Sequence, residues 1–309
     1  MFILFLAAIM MFFQGCTKTW TEKTVVYQAP NWTSDGKIAF IENITVTHEE
    51  KKFLFPQNGW QINQELWLWE CNSDGTGMNR IGLLFSAEPS TGNPTNTSSA
   101  GDWVTFSIGD TKEIYIVKRD GTELKKVGEG TYPDFSPDAS KIVYQKDNQG
   151  IWIMNRDGTG NFKVLNDGSA TYPAWSNDGG RIAFVKDTVV DPYYHRGILK
   201  IIDSSGVLLY SFREDSIIRV VGTGGVDWGQ SDLNAVIIEV YNKINNYERG
   251  FEIFFFGTPD SMVFVSYIAS SYRWSPDSKY LIAHDSGGSF VVLFDLTQGI
   301  LSHKWYLKP

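Results

Sequence analysis

Apolar and polar residues alternate along most of this chain in short runs that end in Gly, Asn, Asp, Ser or Pro. Glu113-Ile-Tyr-Ile-Val-Lys-Arg-Asp-Gly121, Ile151-Trp-Ile-Met-Asn-Arg-Asp-Gly158 and Ile198-Leu-Lys-Ile-Ile-Asp-Ser-Ser-Gly206 show the pattern. A period of two predicts strands buried on one face. Asp-Gly between two apolar runs predicts a tight hairpin, because that turn needs positive φ.

A second phrase precedes each of these. It runs Ala29-Pro-Asn-Trp-Thr-Ser-Asp-Gly-Lys-Ile-Ala-Phe40 and returns at Tyr132–Tyr144, Tyr172–Phe184 and Tyr272–Ala283, with weaker copies at Val226–Asp232 and Thr97–Phe106. Its aromatic position falls at 32, 97 (a Thr), 135, 175, 228 and 274, with spacings of 65, 38, 40, 53 and 46. In Ser136-Pro137-Asp138, Pro presets φ and Asp can bond its own backbone, so this too reads as a turn. Each unit is then four short antiparallel strands. One such sheet is marginal alone and must bury its faces against its neighbours. The expectation is an all-β, six-bladed β-propeller of four-stranded antiparallel blades over 28–309, in one domain.

The phrase W-S-P-D-G followed by I-A-F resembles the repeat of the WD40-like, or TolB-like, propeller family. The resemblance is specific in blades 1, 3, 4 and 6, fair in blade 5 and poor in blade 2. It implies the propeller fold. The Gly-His and Trp-Asp dipeptides of true WD40 blades are absent, and so is the α/β domain that precedes the TolB propeller, so TolB's role in the envelope is not implied.

Residues Phe2 to Phe13 are apolar throughout. Twelve helical residues span only ~18 Å, short of a bilayer core, which fits a signal peptide. The run stops at Gln14-Gly15-Cys16 and the chain turns polar. A small residue before Cys after an apolar run resembles the lipobox of bacterial lipoproteins, in which the Cys is acylated. Residues 1–15 are expected as a signal peptide and 16–27 as a short tether. The expected address is the bacterial cell envelope, at the outer membrane, with the membrane met through the lipid on Cys16 alone. Cys71 is the only other cysteine, too few for a structural zinc site.

Composition narrows the chemistry. Lys+Arg is 27 and Asp+Glu 35, for a net charge of −8. With no basic run interleaved with aromatics, nucleic acid is not an expected partner. At 42% hydrophobic and 15% aromatic the chain is not of the disordered class. The four histidines, His48, His195, His284 and His303, show no paired spacing. The Asn72–Gly77 and Asn155–Gly160 stretches lack the closing Glu of a calcium loop. No G-x-S-x-G elbow is present, and Gly222-Thr-Gly-Gly225 precedes a strand rather than a phosphate-binding helix. No cofactor and no metal are expected.

Two sets of candidate site residues remain. Extra length sits between the second and third strands of blades 1, 4 and 5, at about Asn43–Asn63, Lys186–Gly197 and Tyr241–Gly250. These read as loops on one face, carrying Trp60, Tyr193, Tyr194, His195 and Tyr247, and exposed loop aromatics suit binding. The residue before each blade aromatic, Asn31, Asn96, Asp134, Ala174, Asp227 and Arg273, recurs once per blade and reads as the lining of a polar funnel. The expected function is non-enzymatic binding of a protein or glycan partner on the loop-rich face. The alternatives are an enzyme acting on a sugar or other small substrate in the funnel, or a structural subunit of an envelope complex.

The address is testable. Cys16→Ser is expected to move the protein from the membrane to the soluble fraction, read by detergent-free fractionation. A mutant that still sediments with membranes would show that no lipid on Cys16 holds it.

Overall fold

The computed structural model describes residues 17–52, 59–87, 92–191, 194–212, 218–219, 226–229, 235–242, 248–255, 262–266, 269–285, 291–295 and 303–307. Among these residues all regular structure is β-strand. The first sheet holds β1 (Thr17–Trp32), β2 (Ile38–Lys52), β3 (Gly59–Cys71) and β4 (Asn79–Ala87). The second holds β5 (Pro94–Ala100), β6 (Trp103–Ile108), β7 (Glu113–Lys118) and β8 (Lys125–Glu129), and the third β9 (Thr131–Phe135), β10 (Lys141–Lys146), β11 (Gly150–Asn155) and β12 (Phe162–Leu165). Each of these is a four-stranded antiparallel sheet in chain order, like a propeller blade.

A larger sheet of nine strands follows. Its first half is β13 (Ala170–Trp175), β14 (Arg181–Asp191), β15 (Tyr194–Asp203) and β16 (Leu208–Ser211). Its second half is β18 (Val226–Trp228), β19 (Ala235–Asn242), β20 (Glu248–Phe255) and β21 (Met262–Ser266). Between them lies β17 (Ile218–Arg219), which pairs Gly197 of β15 on one side and Tyr241 and Asn242 of β19 on the other. The last four-stranded sheet is β22 (Ala269–Trp274), β23 (Tyr280–Asp285), β24 (Val291–Asp295) and β25 (His303–Leu307).

The turns explain why these residues form hairpins. Thr33 Oγ1 donates to Asp35 Oδ1 at 2.6 Å and accepts the Lys37 N–H at 3.0 Å. The same pair of bonds recurs at Ser136/Asp138 with Lys141, Ser176/Asp178 with Arg181 and Ser275/Asp277 with Tyr280. In the second turn type, Asp157 Oδ1 accepts both the N–H and the hydroxyl of Thr159. Asp74, Asp120 and Asp203 do the same with Thr76, Thr122 and Ser205. These hydrogen bonds hold the turn carboxyls below their usual range, to about 2 at Asp138.

The core lies between sheets rather than within them. Trp32 clusters with Ile282 and Tyr280 of the last sheet, and Phe135 with Ile114, Ile116 and Val127 of the second. Trp175 packs with Val143, Ile151 and Ile153 of the third, and Trp228 with Leu199 and Ile201 of β15. All four rings, and Trp274, are at most 7% exposed. Each ring thus covers the preceding sheet, and Trp32 of the first sheet covers the last. The innermost strands touch in series: β1 on β5, β5 on β9, β9 on β13, β13 on β18, β18 on β22 and β22 on β1.

The strands correct two expectations. Residues 17–27, expected as a tether, are paired with β2 from Thr17↔Lys52 onward. The supposed loops of blades 1, 4 and 5 are mostly strand: β2 and β3 pair from Ile38↔Cys71 to Glu50↔Gly59, β14 and β15 from Arg181↔Asp203 to Asp191↔Tyr194, and β19 and β20 to Asn242↔Glu248. Continuous main-chain pairing makes these three segments hairpin arms, all at the ends of the strands away from the Ser-x-Asp turns.

Gly158 shows how closely sheets approach. Its φ is +92°, and a methyl group there would lie 2.3 Å from the Val127 carbonyl oxygen of the preceding sheet. Gly158→Ala is expected to destabilise by more than ~1 kcal/mol from the left-handed backbone alone. Trp175→Ala should cost ~3–5 kcal/mol, the range for a truncated buried aromatic. Urea unfolding checks both, and midpoints unchanged from wild type would show that these inter-sheet contacts carry no stability.

Candidate functional site

The innermost strands share an irregularity that sets up the site. Register shifts occur between Gln28 and Asn31, Pro94 and Thr97, Thr131 and Asp134, Thr171 and Ala174, and Ser270 and Arg273. Ala29, Tyr132 and Tyr172 within these bulges have φ of 50°, 53° and 55°. A bulge re-aims the residues that follow it. Those residues are Asn31, Asn96, Asp134, Ala174 and Arg273, the positions expected to line a funnel.

Most of these side chains bridge to the next innermost strand. Asn31 Nδ2 donates to the Thr97 carbonyl at 2.9 Å, and Asn96 Nδ2 to the Pro133 carbonyl at 3.3 Å. Asp134 Oδ2 accepts the Trp175 N–H at 2.7 Å, and Asp227 Oδ2 the Trp274 N–H at 2.6 Å. Ala174 has no side chain to offer; there the Trp228 indole donates to the Ala174 carbonyl at 3.1 Å. Arg273 departs from the series. Its guanidinium donates to the Tyr272 carbonyl at 2.8 Å and to Asn96 Oδ1 of the second sheet.

Four of these residues, Asn31, Asp134, Asp227 and Arg273, line one cavity of about 200 Å³ together with Ser98 and Trp175, so that β1, β5, β9, β13, β18 and β22 all contribute, whereas Asn96 and Ala174 are not part of its wall. It opens among the Ser-x-Asp turns, at the end of the strands opposite the arms. Asn31, Asn96 and Arg273 are buried at 9%, 5% and 5% exposure. Asp134 and Asp227 lie deep in the molecule but remain half-buried toward the cavity. Burial pushes both carboxyls above their usual value, opposed by Arg273 and by the N–H donors. Asp134 also holds a Ser98 hydrogen bond that works against the rise. Asp227 reaches about 7, with the neighbouring Asp134 charge adding to the effect of burial. Two acids therefore face one guanidinium, and Asp227 is partly protonated near neutral pH. Trp32, Trp175 and Trp274 line the same cavity, and their buried indole Nε1 atoms make no hydrogen bond within the protein. Among the described residues, no three His, Cys, Asp or Glu gather to hold a metal ion.

The other predicted set lies away from this cavity. Trp60 sits opposite Glu49, Tyr194 opposite Asp191 and His195 opposite Val189, at the far ends of the arms. Tyr193 and Tyr247, Cys16 and the signal run, and the side chains of Trp60, Tyr194 and His195 lie outside the described residues. Sequence reasoning missed Ser98, whose Oγ accepts the Phe135 N–H at 3.0 Å. Its place directly after Thr97, at the aromatic position of the weakest repeat, was the available signal.

No protein-family model matches the chain, and no curated protein sequence matches it. Solved structures do. One is a chain of the nidogen/laminin complex, with TM-score 0.55, 10% identity and coverage of 92% of this chain and 93% of that one. Another is the β-propeller domain of the trilobed protease from Pyrococcus furiosus, at 0.50, 11%, 92% and 83%. A third is oligogalacturonate lyase from Vibrio parahaemolyticus, at 0.50, 9%, 90% and 97%. At such identities the likeness defines the fold alone, which is β-propeller-like.

The raised acid sets a pH dependence. Asp227 ionises at about 7 when folded and near 3.9 when unfolded. The folded state therefore holds its proton more tightly, and this group's stabilisation is full below pH ~4 and falls as pH rises toward ~7. The turn aspartates act oppositely, losing stabilisation as pH falls from ~4 toward ~2. Asp227→Asn is expected to flatten the decline in melting temperature between pH 4 and 7, with its advantage over wild type growing toward pH 8. An unchanged slope would show that Asp227 is not the group responsible.

Proposed function

We propose that this chain is a closed, six-bladed β-propeller, lipid-anchored in the cell envelope, that binds a small, uncharged, hydroxyl-rich ligand of the saccharide class in its central cavity. The observation that carries the reading is the single cavity lined from all six innermost strands by carboxyl, guanidinium, amide and indole groups. Closure is supported by the packing of β1 on β22 to β24 and by Trp32 lying on Ile282 and Tyr280. Among the described residues the first and last sheets use their own consecutive strands, which supports a ring joined there by side chains rather than by a shared strand.

The ligand class follows from what the wall offers. The carboxyls accept, the guanidinium and the Asn31 amide donate, and hydroxyl groups supply both roles at once. Arg273 offsets one carboxylate and Asp227 is only partly ionised near neutral pH, which weakens the net field that would select an ion. Anchoring agrees with this arrangement. Cys16 directly precedes Thr17, at the end of β1 opposite the cavity, so a lipid there leaves the cavity facing away from the membrane.

One observation favours a second reading, a protein partner on the arm end. The two-residue β17 ties the arms of β15 and β19 into one sheet, which gives Tyr194 and His195 a continuous platform rather than separate loops.

The test is calorimetric titration with neutral mono- and disaccharides, alongside product analysis by chromatography. Saturable binding abolished by Arg273→Met and untouched by Trp60→Ala is expected. Loss on Trp60→Ala instead would move the site to the arms, and breakdown of the sugar would make the protein an enzyme.

A further inference from the structure

The central cavity has a neighbour. Between the turns of the third and fourth sheets runs a second, larger cavity of about 420 Å³, open to solvent along the same face. Its sides are the Ser136-Pro137-Asp138 turn and the Asp178-Gly179 turn, and its outer end is Phe162 and Ser204. Pro137 and Trp175 belong to the walls of both cavities. The two turns meet at this common wall, where a methyl group on Gly179 would lie 3.6 Å from Pro137 Cδ. A molecule passing over Pro137 therefore lies in both cavities at once.

Size argues that it does. The central cavity, at about 200 Å³, falls below the ~300–1,000 Å³ usual for small-molecule sites, whereas the two together fall within that range. The outer part is also built for the same chemistry. Phe162 is 45% exposed on β12, which is costly for an aromatic without an occupant to cover it. Asp138 is held ionised by Ser136 and Ser140 and presents a carboxylate at the groove's side. Lys141 and the Ser140 and Ser204 hydroxyls supply further donors and acceptors. Carboxylate, hydroxyl and aromatic groups gathered in one groove suit linked sugar rings, which offer hydroxyl edges and apolar faces. A peptide would instead call for a row of free main-chain groups along the groove, and the turns flanking it already use theirs in closing; strand pairing is open only at the edge of β12, at the groove's outer end.

We propose that the ligand is an extended neutral glycan whose terminal residue occupies the central cavity and whose following residues run outward along the groove between the third and fourth sheets, past Pro137 and Trp175 to Phe162. This rests on the saccharide reading of the central cavity and adds direction and length to it. The protein thereby reads chain ends. Residues beyond Phe162 leave the protein, so affinity saturates once the groove is filled.

The experiment titrates the full chain with two series, glucose, cellobiose and cellotetraose, and N-acetylglucosamine with its dimer and tetramer. In at least one series affinity is expected to rise with length. Phe162→Ala should weaken the tetramer by about tenfold, the scale of one lost aromatic contact, and leave the monosaccharide unchanged. Ser204→Tyr, which fills the outer groove from an exposed position, should do the same, so the result does not hang on one variant. Equal affinity for monomer and tetramer, or equal loss of both in Phe162→Ala, overturns the extended-glycan proposal while leaving the central site standing. Failure of every sugar in both series to bind overturns the proposal together with the saccharide reading beneath it.

Discussion

Trp32, Phe135, Trp175 and Trp228, each at the end of an innermost strand, pack on neighbouring strands outside their own hairpin, and the rest of the structure depends on that contact. A four-stranded antiparallel sheet has two faces to bury and cannot bury either on itself. Trp32, Phe135, Trp175 and Trp228 each bring a broad flat surface to the preceding sheet, and such side chains dominate burial energetics. Close approach has a steric condition, met where Gly158 and Gly206 lie against the main chain of β8 and β12. The Asp-Gly pair thus serves two ends, since glycine allows both the positive φ of the turn and the contact with the neighbouring sheet.

The same packing generates the site. Rings drawn between sheets bring the innermost strands together, and the residue before each ring has only the next strand to reach. Where that residue is Asn it meets a carbonyl, and where it is Asp it meets an N–H. Two acids in this circle would repel each other, and a single Arg273 extended to Asn96 compensates one of them. Burial and the Asp134 charge leave Asp227 only partly ionised near neutral pH, which reduces the residual charge. The groups that join the strands are therefore also the groups that face the cavity, so the cavity is as rigid as the core around it.

Turn chemistry and hairpins were legible in the sequence because their partners are local. Ser136, Asp138 and Lys141 lie within a few residues of one another, and their hydrogen bonds can be read from spacing alone. Positions such as Asn31, Asp134 and Asp227 were legible as a recurring polar set, but not the reason for it. Their partners, Thr97, Trp175 and Trp274, are one sheet away, and a periodic pattern carries no information about contacts between sheets. The arms were misread for a related cause. Residues 45–52 mix threonine, valine and charge without an apolar stripe, so they look like loop. Their strand character comes from pairing on both sides, with Thr17–Thr24 and with Asn63–Gly59, and such pairing distant in sequence leaves little local trace. The bulges at Ala29, Tyr132 and Tyr172 hide likewise, since each costs ~1–2 kcal/mol of backbone strain that only the assembled structure offsets.

The two ends of the strands have consequently diverged. At the turn end the repeats agree with one another, because every turn must close in the same way and every ring must meet a neighbour. At the arm end they differ in length from sheet to sheet, since strand pairing there is local to each hairpin and no inter-sheet core constrains it. Among the described residues, β17 alone crosses between arms, and it does so with two residues. Thr17 stands at the arm end of β1, and the cavity lies at the turn end. Arms and cavity are thereby separated by the length of a blade, so the arms can change without altering the cavity, and the cavity keeps the geometry that the packed rings impose.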